Sequence, residues 1–208
     1  MYQWLFHLAL ILGPIPFAII CFSKRLGNSH DLFYIKPYLF FVVISNIYEF
    51  VGTDIYNLPT AIWFKVCLLF EFFTILYYFY NLLGKDFKAY FYFAGIFFMA
   101  LFLFFIFNSK INGGLLTDSY LSVYQTIFVF ISVILWFRKI FIELPETSLL
   151  KLPDFYFVSG FILYFSGTLF LFLLGDLLFR MDPEKLPNYW TLIVVFNIIL
   201  SLFLIQGV

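Results

Sequence analysis

Three charged side chains sit where so apolar a chain should carry none. Glu49, Lys65 and Glu71 fall inside runs of Phe, Leu, Ile and Val long enough to cross a bilayer, and Asp54 shares the same stretch, residues 45–71. An ionised side chain at the middle of a membrane helix costs about 2.5–3.5 kcal/mol on insertion scales. Such groups persist when they face the protein interior, pair with each other or touch trapped water. Their chemistry is that of binding: a carboxylate takes a proton, a cation or a hydrogen-bond donor, and an ammonium takes an acceptor. The stretch reads as a helical hairpin, with Leu58-Pro59 as its turn, and as the polar centre of the molecule.

Helix arithmetic places these groups. Ser45, Asn46 and Glu49 share one face of the second helix, since residues three and four apart are neighbours. The third helix starts near Thr60 and runs back, so Lys65 lies about 8 Å and Glu71 about 17 Å along it. Lys65 is then level with Glu49, and Glu71 with Ser45 and Asn46. Lys65 and Glu71 are roughly 120° apart around the helix and point different ways. Thr74 and Tyr78 follow Glu71 on its face. Two readings of Glu49 and Lys65 stand together: an ion pair that pins helix two to helix three, or part of a ligand site. Glu71 has no cation at its depth, and a proton or a hydrogen bond to Asn46 or Gln125 would satisfy it. Ser122, Gln125 and Thr126 lie on one side of helix five, and Asn197 lies near the middle of helix seven.

The elements that must position these residues follow from composition. Of 208 residues, 64% are hydrophobic and only 12% charged, more apolar surface than one soluble core of this size can hide. The chain is expected to be an all-α membrane protein, a single domain of seven transmembrane helices at about 2–22, 37–57, 60–83, 87–107, 118–137, 154–179 and 188–206. Thr60, Thr117 or Asp118, Asp154 and Asn188 are the expected caps of helices three, five, six and seven. Gly113-Gly114 marks a loop spanning 108–118, and 138–153 reads as the longest connection. Helix four has almost no polar side chains and should face lipid on much of its surface.

No basic residue precedes helix one, and Lys24 and Arg25 follow it, the opposite of a cleavable signal peptide. With the N-terminus outside, the inner loops hold Lys24, Arg25, Lys36, Lys85, Lys88, Arg138, Lys139 and Lys151, against Lys110, Arg180 and Lys185 in the outer ones. The positive-inside rule then puts the C-terminus in the cytoplasm.

The remaining features have bland readings beside sharper ones. Pro14 and Pro16 either expose carbonyls to a site or merely kink helix one. Cys21 and Cys67 lie at different depths, cannot easily bridge, and read as two buried thiols. His7 reads as a core or interface residue. Asp176 and Arg180 read as an exposed pair four residues apart. Gly160, Gly167 and Gly175, with Ser159 and Ser166, read as a packing seam that lets another helix approach closely.

Asn57-Leu58-Pro59, followed by the Tyr/Trp-rich helix containing Leu69-Phe70-Glu71-Phe72, resembles a family of short seven-helix membrane proteins of Bacteroidetes-type bacteria. So do Leu152-Pro153-Asp154-Phe155-Tyr156 with Gly160 and Tyr164-Phe165-Ser166-Gly167, and Tyr189-Trp190 with Asn197. The resemblance covers most of the chain. It implies a layout similar to sensory modules and an association with two-component signalling.

Several classes are argued against. Helix seven has no lysine for a retinal Schiff base, and His7 and His30 are too few for a His-built zinc site. Helices one to three and five to seven lack the similarity of a repeat-built transporter. No phosphate-binding Gly loop, Ser-His-Asp set or paired-carboxylate motif is visible, so neither enzyme activity nor a cofactor or metal is expected. The formal net charge of zero gives no reason to expect nucleic acid. The leading expectation is a receptor or sensor-like module that sits among membrane lipids and signals through a separate cytoplasmic or membrane partner protein. The alternatives are a small proton-coupled transporter using the same carboxylates, or a structural subunit of an inner-membrane complex that docks through the glycine seam.

Overall fold

An apolar chain avoids stranding its backbone amides in hydrocarbon by closing every hydrogen bond within a helix. The computed structural model describes residues 2–22, 32–56, 60–112, 114–143, 148–181 and 186–208. Side chains are described for all of these except 2, 54, 60–62, 85, 108–112, 114–118, 172, 174–181 and 186–189. Among the described residues the regular structure is entirely helical. The side chains of Asp54, Gly175 and the Asp176–Arg180 pair, those of the expected caps Thr60, Thr117, Asp118 and Asn188, and the Leu58-Pro59 turn lie outside the description.

The first element, α1, runs Tyr2–Leu12 and, after a break at Gly13-Pro14, Ile15–Phe22. The second, α2, runs Lys36–Ile47 and continues as a π-helix over Tyr48–Ile55. Then follow α3 (Thr60–Leu83), α4 (Lys88–Asn112), α5 (Gly114–Glu143), α6 (Pro153–Met181) and α7 (Leu186–Gly207). Six of these, all but α2, are long and apolar enough to cross a membrane. The regular part of α2 has 12 residues, short of the length a span needs by itself.

Several boundaries differ from expectation, and each difference has a physical reason. Helix two was expected to be one regular helix over 37–57; its second half is instead wound more widely, with Tyr56 N–H bonded to Val51 O at 3.1 Å. Without a Cβ at Gly52, the Tyr48 ring lies across that position and stacks on Trp63, with centroids 4.0 Å apart. The loop expected over 108–118 is helical up to Asn112 and again from Gly114, so Thr117 and Asp118 sit inside α5 rather than capping it. Arg138 and Lys139 are likewise helical, because α5 has 30 residues and outruns the hydrocarbon. Pro153 opens α6, where its missing N–H is no loss, and Asp154 falls in the first turn instead of at the cap. The end of α3 is set by Gly84, whose φ of 77° is left-handed and whose N–H returns to Tyr80 O at 3.2 Å.

The helices form a ring: α1 packs on α2, α2 on α3, α3 on α5, α5 on α6, α6 on α7, and α7 back on α1. Helix α4 packs against α3 and α5. It buries one stripe, Phe91, Ala94, Phe98 and Phe102, and leaves Tyr92, Phe93, Ile96, Phe104 and Phe107 exposed. Helix α3 supplies the densest part of the core, with Phe72, Ile75, Tyr78 and Phe79 fully buried. Phe72 stacks on Phe98 at 3.8 Å, and Phe161 of α6 meets Tyr38 of α2 and Tyr78 of α3 edge-on. Lipid tails are as apolar as these rings, so close packing and aromatic geometry supply the attraction that water exclusion supplies elsewhere.

The closest approach is between α6 and α7. A Cβ on Gly167 would run into the Phe196 ring, and one on Gly160 would lie 3.0 Å from Phe203 Cβ. The Gly160–Gly167 face is therefore filled from within the chain, by α7. His7, expected in the core or at an interface, is exposed on α1, and Cys21, expected buried, is exposed at the end of the same helix. Both lie on the outer surface of the ring, where a small apolar or amphipathic side chain faces lipid at little penalty.

Candidate functional site

Glu71 sits near the middle of α3, about 16 Å along from Thr60. Its Oε2 accepts a hydrogen bond from Gln125 Nε2 of α5 at 3.0 Å, the one donor to Glu71 among the described residues. Gln125 is 1% exposed, so this amide has little access to any other partner. Ser122 and Thr126 are buried on the same side of α5, and Thr126 Oγ1 donates to Ser122 O at 2.9 Å. Of the two partners that spacing offered Glu71, the fold chooses Gln125.

Around Glu71 the ring brings together groups from four helices. The phenol of Tyr38 on α2 lies in the field of Glu71, and that of Tyr164 on α6 lies in the field of both Glu71 and Glu49. Tyr38 and Tyr164 also interact electrostatically with each other. One turn before Glu71, Cys67 lies in the field of both carboxylates, and its Sγ is 3.5 Å from Ser45 Oγ. The set is Tyr38, Ser45 and Glu49 from α2, Cys67 and Glu71 from α3, Gln125 from α5 and Tyr164 from α6. Two carboxylates are ringed by hydroxyls, a thiol and an amide. In such a cluster the carboxylates suit a proton or a small cation, and the neutral donors suit a polar ligand.

The seam between α2 and α3 is laid down in steps. Phe41 stacks on Phe70, Ser45 meets Cys67, and Tyr48 stacks on Trp63. Glu49 enters where the α-helix gives way to the π-helix. On the regular part of α2, adjacent residues point about 100° apart. Ser45 turns to α3, whereas Asn46 turns to α1, its amide packed on Gly13 at the break in that helix. Asn46 Nδ2 is buried with no hydrogen-bond partner among the described residues, as is Trp63 Nε1.

The other expected members stand apart from this set. Lys65 is half-buried on α3, and among the described residues no ion pair joins it to Glu49. Asn197 is half-buried on α7, with no hydrogen bond to the site among the described residues. Thr74 follows Glu71 but spends its hydroxyl on the carbonyls of Phe70 and Glu71, at 2.9 and 3.0 Å. Among the described residues, no three His, Cys, Asp or Glu side chains converge as a metal site.

A second polar contact lies two turns further along α3. Tyr78, fully buried, donates to Asp154 Oδ1 of α6 at 2.8 Å. At the end of α3, Lys139 Nζ of α5 donates to Leu82 O at 3.1 Å and satisfies a carbonyl that has no partner within the helix.

Tyr38, Tyr164 and Cys67 are the members that spacing within the hairpin did not single out. Tyr38 and Tyr164 carried one usable signal, a hydroxyl inside an apolar span, but 15 tyrosines share it. No family model, curated protein or solved structure matches this chain.

Proposed function

We propose that the chain is a seven-span, receptor-like module of the bacterial inner membrane, with its N-terminus outside and its C-terminus in the cytoplasm. The centre formed by Glu71, Glu49, Gln125, Tyr38 and Tyr164 takes a proton or a small polar ligand. The change it undergoes is passed to a separate partner protein. One observation carries the reading: a carboxylate at mid-helix whose one described donor is a neutral amide on another helix, Gln125. A purely structural acid at that depth would be expected to hold a cation. Eight of the 12 basic residues fall in the connections that this orientation puts inside, which supports it. The resemblance of the chain's sequence motifs to short seven-helix membrane proteins of Bacteroidetes-type bacteria is the ground for the sensory class.

The test is Glu71→Gln in the native host, scoring the output of whichever partner co-purifies with the chain. The reading expects the output to change while the chain's abundance and melting temperature stay at wild type. Unchanged output with unchanged stability overturns it.

A carrier is the second reading, favoured by the Tyr78–Asp154 contact, which extends polar groups from the centre toward the Gly84 end. Vesicles containing the purified chain under a pH gradient separate the two, since a receptor moves no net substrate. An assembly subunit would have to dock through some face other than Gly160–Gly167, which α7 occupies.

A further inference from the structure

Helix α3 is an uninterrupted rod. Between Thr60 and Leu83 it has no glycine and no proline, the residues at which helices bend. On one side it packs on α2, interrupted by the change to a π-helix, and beyond α2 lies α1, broken at Gly13-Pro14. A displacement imposed at one level of α3 is therefore carried along it, while α1 and α2 can flex to accommodate it.

The rod is tied at three levels. Glu71 is bonded to Gln125 of α5, Tyr78 to Asp154 of α6, and the Leu82 carbonyl to Lys139 of α5. Glu71 and Tyr78 are two turns apart on one face, about 10 Å along the axis. Tyr78 is also wedged between rings of α6, edge-on to Phe157 at 6.2 Å and to Phe161 at 5.8 Å. A small rotation or slide of α3 moves its hydroxyl off Asp154 and strains the Leu82–Lys139 contact. Glu71 and the far contacts thus share one rigid body, with Glu71 and Leu82 bonded to α5 and Tyr78 to α6.

We infer that α3 is a built-in transmitter: a change at the Glu71–Gln125 contact is conveyed through it to the Tyr78–Asp154 and Leu82–Lys139 latches at the Gly84 end, which hold or release the ends of α5 and α6. The inference rests on the receptor reading for what the latches report. The coupling itself is a property of the chain alone.

The test is a double-mutant cycle read by hydrogen exchange on the full chain in lipid nanodiscs, with no ligand or partner added. Wild type, Glu71→Leu, Tyr78→Phe and the double variant are compared at the amides of residues 78–87 and 149–157. Glu71→Leu should speed exchange at both segments by about fivefold, the scale of one lost hydrogen bond. In the Tyr78→Phe background its effect on residues 149–157 should disappear. An equal effect in both backgrounds overturns the inference, as does an effect confined to the turn around residue 71. Where Tyr78→Phe does not fold, Asp154→Asn replaces it, because it keeps the packing and weakens the acceptor. The two proposals fail separately. Lost coupling with a retained Glu71-dependent output in the host removes the transmitter, and intact coupling with no such output removes the receptor.

Discussion

Replacing Gln125 by Leu isolates the contact on which the centre depends. The substitution keeps the volume of a side chain that is 1% exposed and removes the donor 3.0 Å from Glu71 Oε2. A hydrogen bond between neutral groups contributes about 0.5–1.5 kcal/mol, and one to a charged group about 1.5–3 kcal/mol. Between membrane helices measured values average about 0.6 and reach about 1.7 kcal/mol. Gln125→Leu should therefore lower stability by about 1–2 kcal/mol. That corresponds to a fall in Tm of roughly 2–8 °C for a chain of this size, by the scaling of soluble domains. The assay is reversible unfolding in bicelles, run as a cycle with Glu71→Leu. The pair should show a coupling of about 1 kcal/mol, clear of the roughly 0.3–0.5 kcal/mol within which independent sites add. A parallel cycle of Asn46→Leu with Glu71→Leu should be additive, because the Asn46 amide packs on Gly13 of α1. Coupling to Asn46 and none to Gln125 would refute the assignment and return Glu71 to the partner it was denied.

Other substitutions probe the positions that hold the centre in place. Gly167→Ala drives a methyl into the Phe196 ring and should cost about 1–3 kcal/mol by the same unfolding assay, whereas a loss under 0.5 kcal/mol would mean the α6–α7 seam is looser than drawn. Gly84→Ala meets no neighbour within 4 Å, so its cost should be the left-handed backbone penalty alone, about 1–2 kcal/mol. Gly52→Ala brings a Cβ to 3.3 Å from the Tyr48 ring and should shift that ring off Trp63, changing tryptophan fluorescence in the wild type but not in a Trp63→Phe background. Lys139→Met removes the cation from the Leu82 carbonyl, and hydrogen exchange at residues 80–84 should rise severalfold.

Much of this architecture was legible in the chain itself. Apolar runs separated by Gly, Pro and charge marked an all-helical chain and the rough extent of its helices, because the length needed to cross hydrocarbon is a property of the segment alone. The rarity of charge in those runs marked Glu49, Lys65 and Glu71, since the penalty for stranding an ion in oil does not depend on the fold. The pairing of these groups is a different matter. Helices apolar all round carry no stripe to show which face turns inward, so nothing local told Gln125 from Asn46 as the partner of Glu71, or marked Tyr38 and Tyr164 among so many aromatic residues. Ser45 and Asn46, adjacent on the regular part of α2, likewise part, Ser45 to Cys67 of α3 and Asn46 to Gly13 of α1. Azimuth is set by the rings and glycines of neighbouring helices, and those neighbours meet only once the bundle has closed.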